Sequence, residues 1–327
     1  MHAIRLHEFG PAHNLRYEEV PTPDAGPGQV RIAVGAAGVH LVDTTIREGR
    51  SGGPFPLPDL PMTPGREVAG VVDQVGPGAD PALLGRRVVA HLGIASGGYA
   101  ERAVTGFAAL QDIPDGATDE QAVAMIGTGR TTMGILEQSD LTADDVVLVT
   151  AAAGGIGSLL VQAGRQAGAT VVGVAGGPEK AALVAGLGAD VAIDYLQPDW
   201  VDQVRDGLGG RGVTLAFDSI GGDTSTAILG LMAPGGRIRV YGWSAGEYSA
   251  IPAELLEQHQ VTSAVVLGAP MMERPGGIRG LEAASLAALA AGRLVPVINE
   301  PFALRDAAKA HEAIVSRATV GKVVLIP

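Results

Sequence analysis

Val146-Val147-Leu148-Val149-Thr150-Ala151-Ala152-Ala153-Gly154-Gly155-Ile156-Gly157 decides the fold. Four consecutive apolar residues, three of them β-branched, read as a strand buried on both faces, the pattern of a parallel sheet. Beyond the glycines, Ile156, Leu159, Leu160, Ala163 and Ala167 fall on one helical face, and Gly168 is a natural stop. A strand, a glycine turn and a helix in this order form the setting of a dinucleotide-binding turn. Glycine lets the backbone approach a pyrophosphate, while the helix N-terminus offers free N–H groups and a positive dipole end. Gly154, Gly155, Ile156 and Gly157 are the candidate phosphate contacts. Ala152 stands where the usual GxGxxG pattern has its first glycine, so a plain β-α turn is the competing reading.

Downstream, Thr170 to Val174 reads as a second strand, Pro178 to Leu187 as a helix with proline in its first turn, and Val191 to Asp194 as a third strand. Val213 to Asp218, Arg237 to Tyr241 and Val261 to Leu267 supply three more strands. The expectation is a doubly wound, parallel, six-stranded Rossmann sheet. NAD-preferring sheets carry an acidic residue at the end of the second strand for the ribose 2′-hydroxyl. Here that end reads Val174-Ala175-Gly176-Gly177, without a carboxylate, and Lys180 follows one turn later. Lys180 is either a solvated lysine or the partner of a 2′-phosphate. The missing acid favours the second reading and NADPH, although Glu179 beside it would repel that phosphate unless it serves the helix dipole.

Upstream, Gln29 to Ala33, Val68 to Val75, Arg87 to Ala90 and Tyr99 to Val104 read as short strands between Pro and Gly punctuation, with no β-α-β rhythm. With 327 residues, two domains are expected: 1–121 completed by 268–327, and 122–267. A net charge of −12 disfavours nucleic acid and anionic membranes as partners, leaving a small-molecule electrophile as the expected one. No long apolar run and no signal-like start appear, so a cytoplasmic protein is expected. Zero cysteines exclude disulfides, a catalytic thiolate and thiolate-bound metal.

Several segments, in order along the chain, resemble the zinc-independent quinone oxidoreductases of the medium-chain dehydrogenase/reductase family. They are Gly38-Val39-His40-Leu41-Val42-Asp43-Thr44-Thr45-Ile46-Arg47, Pro64-Gly65-Arg66-Glu67-Val68-Ala69-Gly70, Gly98-Tyr99-Ala100-Glu101, the glycine turn, Pro178-Glu179-Lys180, Ala216-Phe217-Asp218-Ser219-Ile220-Gly221 and Ser316-Arg317-Ala318-Thr319-Val320-Gly321-Lys322. The resemblance implies a GroES-like, β-rich catalytic domain beside the Rossmann domain, NADPH in the cleft between them, and a homodimer formed through edge strands. It also places Lys180 and Tyr195 at the 2′-phosphate, Thr131 and Gly242 near the nicotinamide half, Leu267 in the cleft lining and Lys322 near the cofactor. Gly176, Ser219 and Tyr241 complete the implied cofactor set.

Zinc-dependent relatives carry Cys, His and Cys at the catalytic metal, and motif matching puts His40, Arg66 and Ala124 there. One possible ligand of three implies no metal. Without a Lewis acid, electron-poor acceptors replace simple alcohols, and His40 is the candidate proton donor. Thr45 and Tyr99 are expected in the same pocket, where many relatives have asparagine for His40 and tyrosine for Thr45. Three readings follow: a quinone reductase, an enone or enoyl-thioester reductase, and an NADPH-binding sensor with little catalysis.

Overall fold

The computed structural model describes residues 1–50, 56–244 and 251–327. Its contacts divide the chain into two compact units, Met1–Thr128 with Pro296–Pro327, and Gly129–Val295.

In the first unit, β1 (His2–Leu6) and β2 (Leu15–Glu19) form an antiparallel pair. The main sheet contains β3 (Gln29–Val39), β4 (Glu67–Val75), β5 (Arg87–His91), β6 (Arg102–Gly106) and β7 (Leu110–Asp112), all antiparallel. Strand β3 alternates between buried and half-exposed positions until Val34, then stays buried from Ala36 to Val39. There it runs straight into the short helix Leu41–Arg47, for which His40 is the N-cap in extended conformation.

In the second unit, β8 (Val146–Val149), β9 (Thr170–Ala175), β10 (Val191–Asp194), β11 (Val213–Asp218), β12 (Met232–Val240) and β13 (Thr262–Val265) build the expected parallel sheet, in the order β10-β9-β8-β11-β12-β13. The period-2 alternation of side chains divides its core into two. Val147, Val149, Val171, Leu215 and Phe217 pack on one face, and Leu148, Val172, Val174, Ala216 and Ile238 on the other. The strand order reverses between β8 and β11, the switch point where such sheets bind ligands.

Two boundaries differ from those expected. The helix Asp119–Ala124 stays with the first unit, burying Ala122, Val123 and Ala124. Residues 268–295 pack into the second unit rather than onto the first. Leu281 joins Ile135, Val149 and Phe217 in one apolar cluster, and Glu282 of the helix Gly277–Ala290 accepts from Arg130 Nη1 at 3.0 Å. Only 296–327 returns, through β14 (Phe302–Ala303), the helix Ala307–Val315 and β15 (Val323–Ile326). Strand β15 lies antiparallel to β3 with Val323 opposite Val39. That register carries Lys322 to the level of His40. Among the described residues no helix is long and apolar enough to cross a membrane.

Candidate functional site

Glu67, the first residue of β4, is wholly buried and lies between two partners. Lys322 Nζ donates to Glu67 Oε2 at 2.8 Å and lies 2.7 Å from His40 Nε2. Glu67 Oε1 sits 2.7 Å from the same Nε2, at ion-pair distance though not as an aligned hydrogen bond. Burial alone would raise the Glu67 pKa, but the charges of His40 and Lys322 outweigh it and hold the carboxyl well below the usual range. Room for this cluster comes from Gly127, where a Cβ would fall 1.4 Å from Glu67 Oε1. The exposures of the three side chains are unequal: Glu67 0%, Lys322 4% and His40 28%. His40 is therefore the one member that meets solvent. Its Nε2 lies within reach of both the lysine ammonium and the carboxylate.

The residues at the zinc positions do not fit a catalytic zinc. His40 Nε2 is engaged by Lys322, a guanidinium such as Arg66 has no lone pair to give, and Ala124 is a buried methyl. No group of three or more His, Cys, Asp or Glu side chains that could hold a metal ion occurs among the described residues.

Thr45 is partly buried on the helix after His40, with its hydroxyl directed to Leu41 O at 3.4 Å. Tyr99, expected at the pocket wall, is instead fully enclosed. Its hydroxyl donates to Asp43 Oδ2 at 3.1 Å and lies 3.2 Å from His311 Nε2, and burial pushes the phenol well above its ordinary pKa. Asp43 Oδ2 also accepts the His40 backbone N–H at 2.9 Å. Tyr99 is thereby tied to His40 through Asp43. Glu67 and His311 were both missed in sequence. A carboxylate opening an apolar strand was the one available signal for Glu67.

In the second unit the glycine turn lies at the end of β8. Gly154 caps the helix Gly155–Ala167 in extended conformation, with no side-chain cap and no acidic residue in the first turn. The first N–H groups therefore have no intramolecular cap, which suits an anion. Ala152 N–H, at the position of the missing glycine, donates to Val174 O at 3.0 Å and ties the turn to β9. Ile156 packs partly buried on the sheet's apolar cluster. At Gly157 a Cβ would stand 2.4 Å from Ala151 O and 2.9 Å from Ala152 Cα, so the helix crosses the turn at glycine distance. Gly157→Ala should cost about 1–3 kcal/mol through overpacking against backbone. Thermal melting should show the loss, and dinucleotide titration should show weaker binding than in the parent.

At the end of β9, Gly176 and Tyr195 are neighbours, a Cβ at Gly176 lying 3.2 Å from the Tyr195 hydroxyl. Lys180 is partly buried in the helix Pro178–Gly186, while Glu179 is exposed. Asp194, which the sequence reading passed over, is the carboxylate at this corner. Its Oδ1 accepts the Gly177 N–H at 2.7 Å and the Leu196 N–H at 3.0 Å, and these backbone donors lower its pKa. At the switch point the fully buried Asp218 accepts from Thr150 Oγ1 at 3.2 Å, the Ile220 N–H at 3.0 Å and the Ser225 hydroxyl. Ser219 N–H donates to Thr150 Oγ1 at 2.9 Å, and the Tyr241 hydroxyl reaches Thr150 O at 3.5 Å, its pKa raised by burial. A Cβ at Gly242 would stand 2.9 Å from Ser219 O. Ser219, Tyr241 and Gly242 thus converge on one corner. Thr131 stands partly buried in the helix Arg130–Glu137, and Leu267 packs on the sheet's apolar cluster.

A sheet of this order, with a glycine turn beside its switch point, is the scaffold of nucleotide-dependent dehydrogenases. The family model for the alcohol dehydrogenase GroES-like domain matches residues 26–134, and that for zinc-binding dehydrogenase matches residues 155–277. A 2-haloacrylate reductase from a Burkholderia species is 34% identical over 99% of this chain and 98% of its own length. A quinone oxidoreductase of Pseudomonas aeruginosa is 31% identical over 99% of both chains. The crystal structure of Escherichia coli quinone oxidoreductase complexed with NADPH superposes with a TM-score of 0.87 at 28% identity, covering all of both chains. The chain belongs to the medium-chain dehydrogenase/reductase family and is an oxidoreductase of that family.

Proposed function

We propose that the protein is a zinc-independent, NADPH-dependent reductase that passes hydride to a quinone or another electron-poor acceptor. The observation that supports the cofactor is the Gly176–Tyr195 contact at the end of β9, just ahead of the helix that carries Lys180, where the nearby carboxylate Asp194 is held by two backbone N–H groups. The end of β9 itself carries no carboxylate for a ribose 2′-hydroxyl, and a lysine one turn into the next helix suits a 2′-phosphate. NADPH, when bound, supplies the hydride. The backbone of Gly154 to Gly157 receives the pyrophosphate, and Gly242 and Ser219 border the nicotinamide side. His40 donates a proton to the reduced acceptor, and Glu67 and Lys322 fix the position of its ring.

A 2-haloacrylate, the compound in the Burkholderia relative's name, is an electron-poor alkene rather than a quinone. That favours a second reading, reduction of a conjugated alkene, with the same cofactor and the same donor. The deciding experiment follows oxidation of NADPH and NADH with a panel of quinones and enones. Preference for NADPH with saturable turnover supports the proposal, and a tenfold preference for NADH refutes it. Lys180→Ala should weaken NADPH binding about 10–100-fold, the worth of one hydrogen bond to a charged group. NADH binding should change little, and fluorescence titration of both nucleotides reads the difference.

A further inference from the structure

Strand β10 is fastened to β9 by an aspartate at each end. At its start, Asp190 Oδ2 accepts the Val171 N–H at 2.8 Å. At its far end, Asp194 stands level with Ala175, the last residue of β9, and its Oδ1 accepts the N–H groups of Gly177 and Leu196 at 2.7 and 3.0 Å. Its Oδ2 accepts from Gln197 Nε2 at 3.3 Å. The two clamps hold different things. Asp190 joins strand to strand, whereas Asp194 joins two turns, the one that leaves β9 and the one that leaves β10.

The first of these turns launches the helix that carries Lys180. Gly177 has φ 99° and ψ 154°, a backbone conformation that residues with side chains rarely adopt. Its carbonyl accepts the Ala181 N–H at 3.1 Å, the first hydrogen bond of the helix, and Pro178 after it has no N–H to offer. The Gly177 peptide is therefore fixed from outside the helix, by Asp194. The second turn presents Tyr195, whose hydroxyl lies 3.2 Å from where a Gly176 Cβ would stand, and Leu196, whose Cδ1 lies 3.8 Å from the same point. Leu196 is 66% exposed, so little packing holds its peptide in place. One carboxylate oxygen thus sits between the residue that opens the Lys180 helix and the residue that follows Tyr195.

We propose that Asp194 is a positioning residue for cofactor choice: by gripping both turns it sets Lys180 and Tyr195 around the 2′-phosphate of NADPH without touching the nucleotide itself. This deepens, and rests on, the reading of the protein as an NADPH-dependent reductase. A carboxylate at such a corner would ordinarily oppose a phosphate and accept a ribose hydroxyl. Here two backbone N–H dipoles point at its Oδ1, which fixes the turns and offsets the charge. What the role requires is an acceptor at Oδ1 and not the negative charge. Asparagine meets that requirement. Alanine does not, and glutamate carries the carboxylate one methylene too far.

Fluorescence titration of the full chain with NADPH and with NADH reads this role without any turnover. Asp194→Ala should weaken NADPH binding about tenfold and leave NADH within about twofold, because only the phosphate depends on both turns. Asp194→Glu should move the ratio of the two affinities in the same direction, and Asp194→Asn should keep the parent's preference. Asp190→Ala removes the other clamp on the same strand. It should lower the melting temperature and leave the ratio unchanged. A ratio shifted as far by Asp190→Ala as by Asp194→Ala would reduce Asp194 to a clamp of the fold and overturn the proposal. So would NADH binding that falls more than NADPH binding in Asp194→Ala, the mark of a direct contact with the ribose hydroxyl. In both cases a parent that prefers NADPH leaves the reductase reading standing, whereas a parent that prefers NADH tenfold would remove that reading and the proposal with it.

Discussion

Glu67→Gln is expected to destabilise the protein by about 3 kcal/mol, because it leaves the buried Lys322 ammonium without its counter-charge. The pair is enclosed, at 0% and 4% exposure, so solvent cannot take over the role of the carboxylate. Urea denaturation would read the loss directly, and melting should fall by roughly 6–12 °C. Restoring neutrality should recover much of it: Glu67→Gln combined with Lys322→Met replaces a half-broken pair with an uncharged one. A double variant as unstable as the sum of the single ones would show that the two side chains act independently. The parent's acid sensitivity follows the same logic. Glu67 has a depressed pKa when folded, so its contribution is present above the ordinary carboxylate range and is lost as pH falls toward the folded value. His311 adds to this at milder pH. Burial lowers it from 6.5 to about 4, so the unfolded chain takes up its proton first and stability declines as pH falls through that window.

The sheet was legible because its information is local. Strand β8 shows four apolar residues in a row, the helix after it shows a clean apolar face, and Gly168 adopts the left-handed conformation expected of a stop. The same locality explains what was missed. Glu67 and Lys322 are 255 residues apart, and His40 and Lys322 are 282 apart. What brings them together is the register of β15 on β3, and nothing in either strand's own pattern specifies that pairing. Strand β1 escaped notice because Arg5 and His2 interrupt its apolar alternation, and its partner β2 is largely polar. The Ala/Leu stretch from Leu281 to Ala291 reads as a helix, but a helical pattern does not name the surface it will cover. Asp194 shows a subtler failure. The absence of an acid at the end of β9 was visible, whereas the acid that reaches this corner from the end of β10, and its engagement by Gly177, needed coordinates.

His40→Ala should lower turnover about 100–1,000-fold with an enone while leaving nucleotide affinity near its original value. The argument turns on what the substitution removes. The Glu67–Lys322 pair at 2.8 Å does not depend on the imidazole, so the buried charges stay matched and the fold persists. What is lost is the single member of the cluster that meets solvent. Its loss matters in proportion to the acceptor's need for a proton. Hydride addition to an enone leaves charge that must be quenched at an oxygen or carbon, whereas a quinone yields an aromatic product whose anion is far less basic. The deficit should therefore be large for the enone and smaller for the quinone, and the solvent isotope effect on enone turnover should change with it. Equal losses on both acceptors would assign His40 to packing around Lys322 and not to proton delivery. His40→Gln sharpens the comparison, since an amide can replace the hydrogen bond to Lys322 but carries no titrating proton. If it behaves like the alanine variant in turnover and like the parent in stability, the proton is the function of the ring.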